Sequence, residues 1–403
     1  MKNKKTNPNQ LLDTFQMSGA DKFDFIKVIE QQTKWTRVHT VRGSQVCFYC
    51  ITSDGVKQVL KQCPADPMKS GSGRFVALDA LRQKGNAPAH WPIELWDEVI
   101  TQSKIFIGLI DDTGNQILMP VSKEIYSDFA VVGVTGTAAT TASYHLLGLI
   151  AEQIEDSYIT FVTRVQPSKH GDIEKVITMR SSGYAYIPQD EALALASQVC
   201  ADGDVIYWNV SNFLTEAVYE FPKSAVHTTY GRKNGHFVPY IRYTNSDAGD
   251  SSCAFELGWD VNGNAVFLAS GTNRAFRQHR GEWNQTMRDS LYADAIKLKD
   301  KFTILADRMK ELDTITVLNE NIERVVKNLC ADAKINGKGR QEAFVQYVTE
   351  EFTGTDASAA EIVLAMIEAQ NQVPALLDLS DIQRSELQHK LGEIPYQRIR
   401  QHA

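Results

Sequence analysis

The stretch FPKSAVHTTYGRKNGHFVPYIRYTNSDAGDSSCAFELGWDVNGNAVFLASGTNRAFRQHRG, Phe221 to Gly281, decides how the chain is read. β-Favouring and polar residues alternate along it, and two Asn-Gly dipeptides, Asn234-Gly235 and Asn262-Gly263, interrupt the alternation. Asn-Gly supplies the φ > 0 conformations of a two-residue hairpin loop, so the stretch predicts an antiparallel meander that turns at both dipeptides. Between residues 222 and 288 eight Lys and Arg stand against five Asp and Glu, a local charge of +3 in a chain of −7.

Upstream, YITFVTRV from Tyr158 and EKVITMR read as strands. A helix follows at Pro188, where proline suits the first turn and Asp190 and Glu191 suit the positive end of the helix dipole. DVIYWNVSNFLTEAVYEF then returns to strand and feeds the meander. Downstream the period changes. Met287, Leu291, Ala295, Leu298, Phe302, Leu305, Met309 and Leu312 recur every three or four residues, the stripe of a long helix with a heptad-like seam, and Ile315, Leu318, Ile322, Val325 and Leu329 nearly continue it. Such a stripe covers the chain's own sheet or pairs with a second copy. Further helices follow, divided by TGTDAS and by Pro374.

The fold class expected is α+β: an antiparallel-rich sheet with packed helices, a long C-terminal helix and a helical tail. Three regions follow: residues 1–150, an N-terminal α+β region of unassigned role; 151–283, the β-rich core with the basic meander; and 284–403, the helical region. Within the first, Leu11 to Lys34 predicts short helices around Ser18-Gly19, and VHTVRGSQVCFYCITSDGVKQVL predicts two strands and a helix. KIFIGLIDDTGNQILMP predicts a hairpin in which Asp111 and Asp112 serve the turn rather than catalysis. Gly133 and Gly136 precede a helix without the Lys-Ser/Thr of a phosphate-binding loop.

Composition limits the function classes. The 403 residues, 43% of them hydrophobic, can bury a full core. No apolar run approaches the roughly 18–20 residues that span a bilayer, and MKNKKTNPNQ lacks the apolar stretch of a secretory signal. Six scattered cysteines, Cys47, Cys50, Cys63, Cys200, Cys253 and Cys330, form no disulfide framework, which points to reduced thiols and a cytoplasmic setting. Cys47-x-x-Cys50 lies in a strand-like run where the two thiols face opposite ways, so no metal site is assigned there. No catalytic triad, zinc-protease or kinase motif occurs, and no catalytic residue, metal or cofactor is assigned.

The best functional signal is cationic and aromatic. Arg232, Lys233, Tyr240, Arg242 and Tyr243 interleave charge with rings, and Arg274, Arg277 and Arg280 form a second cluster at the end of the meander. Cations neutralise phosphates and any base can stack on an exposed ring, the combination that binds single-stranded nucleic acid. Alternation puts His236, Val238, Tyr240 and Arg242 on one face of their strand, with Phe237, Ile241 and Tyr243 on the other. A plain amphipathic strand, rings inside and charges outside, has the same pattern. His227 and His236 sit on facing strands as neighbours.

YIRYTNSDAGDSSCAFELGWDV (240–261), TNRAFRQHRG (272–281), RSSGYAYIPQDEALALASQV (180–199) and the helix after them also carry a family resemblance. With Asn245, Ser246 and Gly249 between strands and Arg277 with His279 before the helices, residues 158–390 resemble the phage- and plasmid-encoded proteins known as a domain of unknown function, the phage/plasmid-like family. The resemblance implies a mobile-element setting and DNA transactions similar to those of single-strand annealing proteins. The sequence therefore predicts a non-enzymatic, oligomeric phage or plasmid protein that binds single-stranded nucleic acid, in a strand-annealing or DNA-protecting role in the host cytoplasm and away from membranes. The alternative is a virion or host-interaction protein that self-assembles through the helical stripe and binds a protein partner.

Overall fold

The computed structural model describes residues 16–54, 57–62, 75–77, 105–110, 116–121, 153–168, 170–181, 183–247, 251–267, 273–332, 338–373, 387–388 and 391. Strand β1 (Gln16–Gly19) precedes helix α1 (Lys22–Trp35), whose Asp21 cap accepts the Asp24 N–H at 2.9 Å. Ser18-Gly19 thus lies in a strand rather than between helices. Then come β2 (Thr36–Arg42), β3 (Val46–Asp54), β4 (Lys57–Gln62), β5 (Phe75–Ala77), β6 (Ile105–Ile110) and β7 (Gln116–Pro120). Lys57–Leu60, expected as helix, pairs as a strand with β3. The hairpin of β6 and β7 forms with Ile110 opposite Gln116. Its Asp111-Asp112 turn, and Gly133 and Gly136, lie outside the described residues.

Strands β8 (Tyr158–Ser168) and β9 (Gly171–Ser181) join β2 in a three-stranded antiparallel sheet, and β5-β4-β3-β6-β7 form a five-stranded one. After α2 (Gln189–Val199) the chain enters the principal sheet through β10 (Asp204–Ser211), β11 (Thr215–Glu220), β12 (Val226–Tyr230), β13 (Lys233–Asn245), β14 (Cys253–Val261), β15 (Asn264–Phe267) and β16 (Arg274–Arg277). Its order is β1-β10-β11-β13-β14-β15, with β12 also on β13 and β16 also on β14. The expected α+β architecture and antiparallel meander are both present.

The two predicted turns differ in outcome. Val261 faces Asn264, which leaves Asn262 (φ 54°) and Gly263 (φ 82°) as the two loop residues, the φ > 0 pair of a type I′ turn. In the other hairpin Tyr230 faces Lys233, so the loop is Gly231-Arg232, with Gly231 at φ 52°, and Asn234-Gly235 sits inside β13. Gly-X serves a two-residue hairpin as well as Asn-Gly does. Register is then chosen by burial, because a slip would turn Phe237, Ile241 and Tyr243 away from the core.

The seam residues fold as α3 (Gln285–Ile296), a 3₁₀ turn (Lys299–Lys301) and α4 (Ile304–Asp313) instead of one long helix. At the break the Phe302 carbonyl accepts the Trp259 indole N–H at 2.8 Å and the Phe302 ring packs on Phe221. The chain continues through β17 (Thr316–Val317), α5 (Asn319–Asp332), α6 (Lys338–Glu351), β18 (Ala357–Ser358) and α7 (Ala359–Gln372). Helix α7 is largely apolar and buried over most of its length, with Glu361 and Glu368 as its charged positions.

Tyr219, Ile241, Tyr243, Phe255, Leu257 and Trp259 from one face of the sheet share a core with Leu291, Leu298, Leu305, Met309, Leu312, Ile322, Val325 and Leu329. Most of the heptad-like stripe is therefore spent on the chain's own sheet, with Met287 and Leu318 exposed, so no continuous seam remains for an intermolecular coiled coil. Among the described residues no helix is long and apolar enough to cross a membrane.

Candidate nucleic-acid interface

Strand β13 holds five of the eight residues expected to contact nucleic acid, or borders them, and the fold engages all five internally. Arg232, in the Gly231-Arg232 loop, donates from its backbone N and its Nε to Glu361 Oε1 (2.8 and 3.1 Å), and from Nη1 to Thr355 Oγ1. Lys233 Nζ lies between Glu351 (2.6 Å) and Glu368 (2.5 Å). Arg242 donates through Nε to Glu216 at 2.5 Å and has Glu256 at 3.8 Å. These cations are paired with carboxylates that the linear sequence separates from them, although the Arg232 side chain stays half exposed.

Tyr240 is 4% and Tyr243 0% exposed, so neither offers a face on which a base could stack. The Tyr240 ring lies over Gly258, where a Cβ would come within 2.5 Å of it, and meets Phe267 edge-on at 5.4 Å. Burial holds both phenol pKa values well above the ordinary tyrosine range. Phe237, Ile241 and Tyr243 belong to the helix-covered core while Val238 and Tyr240 are buried outside it, as the alternation expected. What alternation cannot supply is that the second face is closed as well.

The second cluster stands apart from these. On edge strand β16, which pairs with β14 through Glu256–Arg274 and Cys253–Arg277, Arg274 is exposed and rests 5.2 Å from the ring centre of Phe276, itself 43% exposed. Arg277 turns the other way, donating from Nη2 to Ser290 Oγ at 2.5 Å with Asp294 at 4.0 Å. Arg280 is exposed and has no ionic partner among the described residues.

Arg280 opens onto a cleft of about 620 Å³ whose other guanidinium is Arg180, near the end of β9. Ser181, Ser251 and Ser252 contribute hydroxyls, and among the described residues no carboxylate lines the cleft. One wall is the junction of residues 183–185 with 278–281, where Ala185 N donates to His279 O, Gly281 N to Gly183 O, and His279 Nδ1 to Ala185 O at 3.0 Å. A carbonyl only accepts, so Nδ1 carries the proton. The His279 ring stacks on Tyr184 at 5.2 Å, and the Arg180 guanidinium lies 6.0 Å from the same Tyr184 ring. Ser251 Oγ is shielded from solvent without a hydrogen-bond partner among the described residues.

Beneath the cleft Tyr184 donates its hydroxyl to Asp247 O at 2.8 Å, and the Asp247 carboxylate is paired with Arg164 from β8. Burial raises the Asp247 carboxyl above the ordinary range, with the Arg164 charge opposing. The fork of an exposed guanidinium such as that of Arg280 can grip an anion bidentately. His227 and His236 do lie opposite each other, their rings stacked at 4.0 Å, away from the residues that line the cleft.

Arg274 and Arg280 are thus the expected residues that face solvent near the cleft, and Arg180, Tyr184 and Ser251 join them; these three lie in stretches that carry the family resemblance but are not among the expected site residues. Each comes from a short connection or a strand end with ordinary composition. In comparisons of sequence and of fold the chain matches no known protein family, no curated protein and no solved structure.

Proposed function

We propose that the protein binds single-stranded nucleic acid through its phosphates, in the cleft of Arg180 and Arg280, with Arg274 and Phe276 extending the contact along β16. The observation that carries this reading is the cleft itself: the exposed Arg280 guanidinium and that of Arg180 line it with no carboxylate among the described residues, in a chain whose net charge is −7. In an acidic protein a local positive site attracts a polyanion only where its own carboxylates are kept away. β16 leads directly into the cleft, so by strand rise Phe276 lies about 7 Å and Arg274 about 13 Å from Gln278 at its edge. An exposed ring beside an exposed guanidinium is the pair that stacks a base while holding its phosphate. A mobile-element setting and a strand-annealing or DNA-protecting role belong to the same proposal and rest on the resemblance of residues 158–390.

The test is a salt titration of binding to a fluorescent single-stranded oligonucleotide. With two or three phosphates neutralised, log affinity falls against log salt with a slope of about −1.4 to −2.1. Absence of binding at low salt overturns the reading.

A further inference from the structure

We infer a second site, separate from the cleft: the cross-strand pair His227 and His236 chelates a divalent transition-metal ion of the zinc class through its two imidazoles. The backbone sets the spacing. His236 N donates to Asn262 Oδ1 at 2.9 Å and His236 O accepts the Asn262 N–H at 3.1 Å, so both main-chain groups of His236 turn toward β14 and away from β12. His227 and His236 are therefore a non-hydrogen-bonded pair, the kind in which the two Cα atoms stand only about 4.5 Å apart and the side chains come closest. Their rings stack with centres 4.0 Å apart and planes 12° from parallel. Two nitrogens each about 2.0–2.1 Å from one tetrahedral ion lie about 3.3 Å from each other, so a small turn of each ring takes the pair from stacking to chelation. His227 is exposed and His236 half-buried, which leaves that turn unopposed by the core.

No protein group competes for the ring nitrogens. Among the described residues neither imidazole makes a hydrogen bond or an ion pair, whereas His39 is held by Glu174 and His279 by Ala185. The surroundings favour a cation. Glu220 at the end of β11 and Asp260 of β14 make no ion pair among the described residues, and burial with the charge of Asp260 raises the Glu220 carboxyl, His236 opposing. Carboxylates short of a counter-charge draw positive charge to this corner of the sheet. Imidazole donors select the ion, since they suit zinc, copper and nickel whereas magnesium and calcium take oxygen ligands. Among the described residues no cluster of three or more His, Cys, Asp and Glu is placed to hold a metal ion, so the chain supplies two ligands here and solvent fills the remaining positions. Tyr230 and Phe237, buried beside the pair on β12 and β13, fix the register that keeps the two rings opposite.

The experiment is isothermal titration calorimetry of the full chain, stripped with EDTA and dialysed, against zinc chloride, with magnesium chloride as the oxygen-seeking control. Zinc binds saturably and magnesium does not. Loss of a mere orienting partner weakens a metal site about 10–100-fold, so His227→Gln and His236→Gln, which remove a ligand, each weaken zinc binding by at least about tenfold. Metal-free thermal midpoints equal to that of the parent chain show that the two variants are folded. Absence of zinc binding overturns the site. Zinc binding that either variant leaves unchanged overturns it too, because the ion is then held by thiols or histidines elsewhere. The oligonucleotide titration depends on neither histidine, so this site and the proposed function stand or fall separately.

Discussion

Arg164 of β8 and Asp247, just past the end of β13, form a buried ion pair that ties the three-stranded sheet to the principal one. Their side chains are 1% and 0% exposed, Arg164 Nη1 also donates to Gln32 O at 3.3 Å, and the Asp247 carbonyl receives the Tyr184 hydroxyl. The pair fixes the floor under the cleft and joins segments that meet only in the folded chain.

Arg164→Leu leaves a buried carboxylate without its cation, which costs about 3–5 kcal/mol near neutral pH. Burial already raises the Asp247 carboxyl, and loss of the opposing charge raises it further. A carboxyl whose folded pKa exceeds its unfolded value of about 3.9 contributes its stability below that value and loses it as pH rises. Denaturant unfolding of Arg164→Leu therefore shows a deficit that is largest near neutrality and shrinks toward pH ~4.

Glu174 on β9 has the opposite sign. Burial raises its carboxyl, but hydrogen bonds from His39 (2.5 Å) and Thr163 (2.6 Å), with the charges of His39 and Arg37, bring it below the ordinary range. Its stability is present above the unfolded value of about 4.3 and lost as pH falls through the folded one. Glu174→Gln is less stable by about 1–2 kcal/mol near neutrality. Equilibrium unfolding across pH shows that gap closing below about 4.3.

Two glycines with positive φ separate backbone strain from collision. A Cβ at Gly263 meets nothing within 4 Å, so Gly263→Ala costs about 1–2 kcal/mol for the left-handed conformation alone. A Cβ at Gly231 would stand 2.4 Å from the Glu361 carboxyl carbon, where Glu361 holds both Arg232 and the Ser358 N–H of the α7 cap. Gly231→Ala loses about 2–4 kcal/mol in thermal unfolding, clearly more than its counterpart.

The aromatic and cationic positions of β13 and β16 separate cleanly by assay. Tyr243→Phe removes a buried hydroxyl that has no hydrogen-bond partner among the described residues, and is neutral or stabilising by about 1 kcal/mol. Lys233→Met breaks two ion pairs and destabilises by about 1–2 kcal/mol. Neither changes oligonucleotide affinity by more than about twofold, which is below 1 kcal/mol.

Phe276→Ala behaves in reverse. With the ring 43% exposed, the thermal midpoint moves little, while the loss of one stacked base weakens oligonucleotide binding by about 1–3 kcal/mol. Unchanged affinity excludes β16 from the interface and confines binding to the cleft.

The amino-acid order alone determined what depends on near neighbours. Period-two alternation assigned faces along β13, Asn262-Gly263 required a turn, and Pro188 with Asp190 and Glu191 opened α2, because pleat, φ preference and helix dipole act over a few residues. Register at Gly231-Arg232 and the break at Phe302 depended on the burial of Phe237 and Ile241 and on the indole of Trp259. Which cations are paired with carboxylates and which face solvent was decided by tertiary structure alone. Lys233 meets Glu351 and Glu368 more than a hundred positions away, Arg242 meets Glu216 across a strand pair, and Arg280 meets Arg180 and Ser251 around one cleft. Charge acts through distance in space, and a folded chain sets that distance independently of separation along its length.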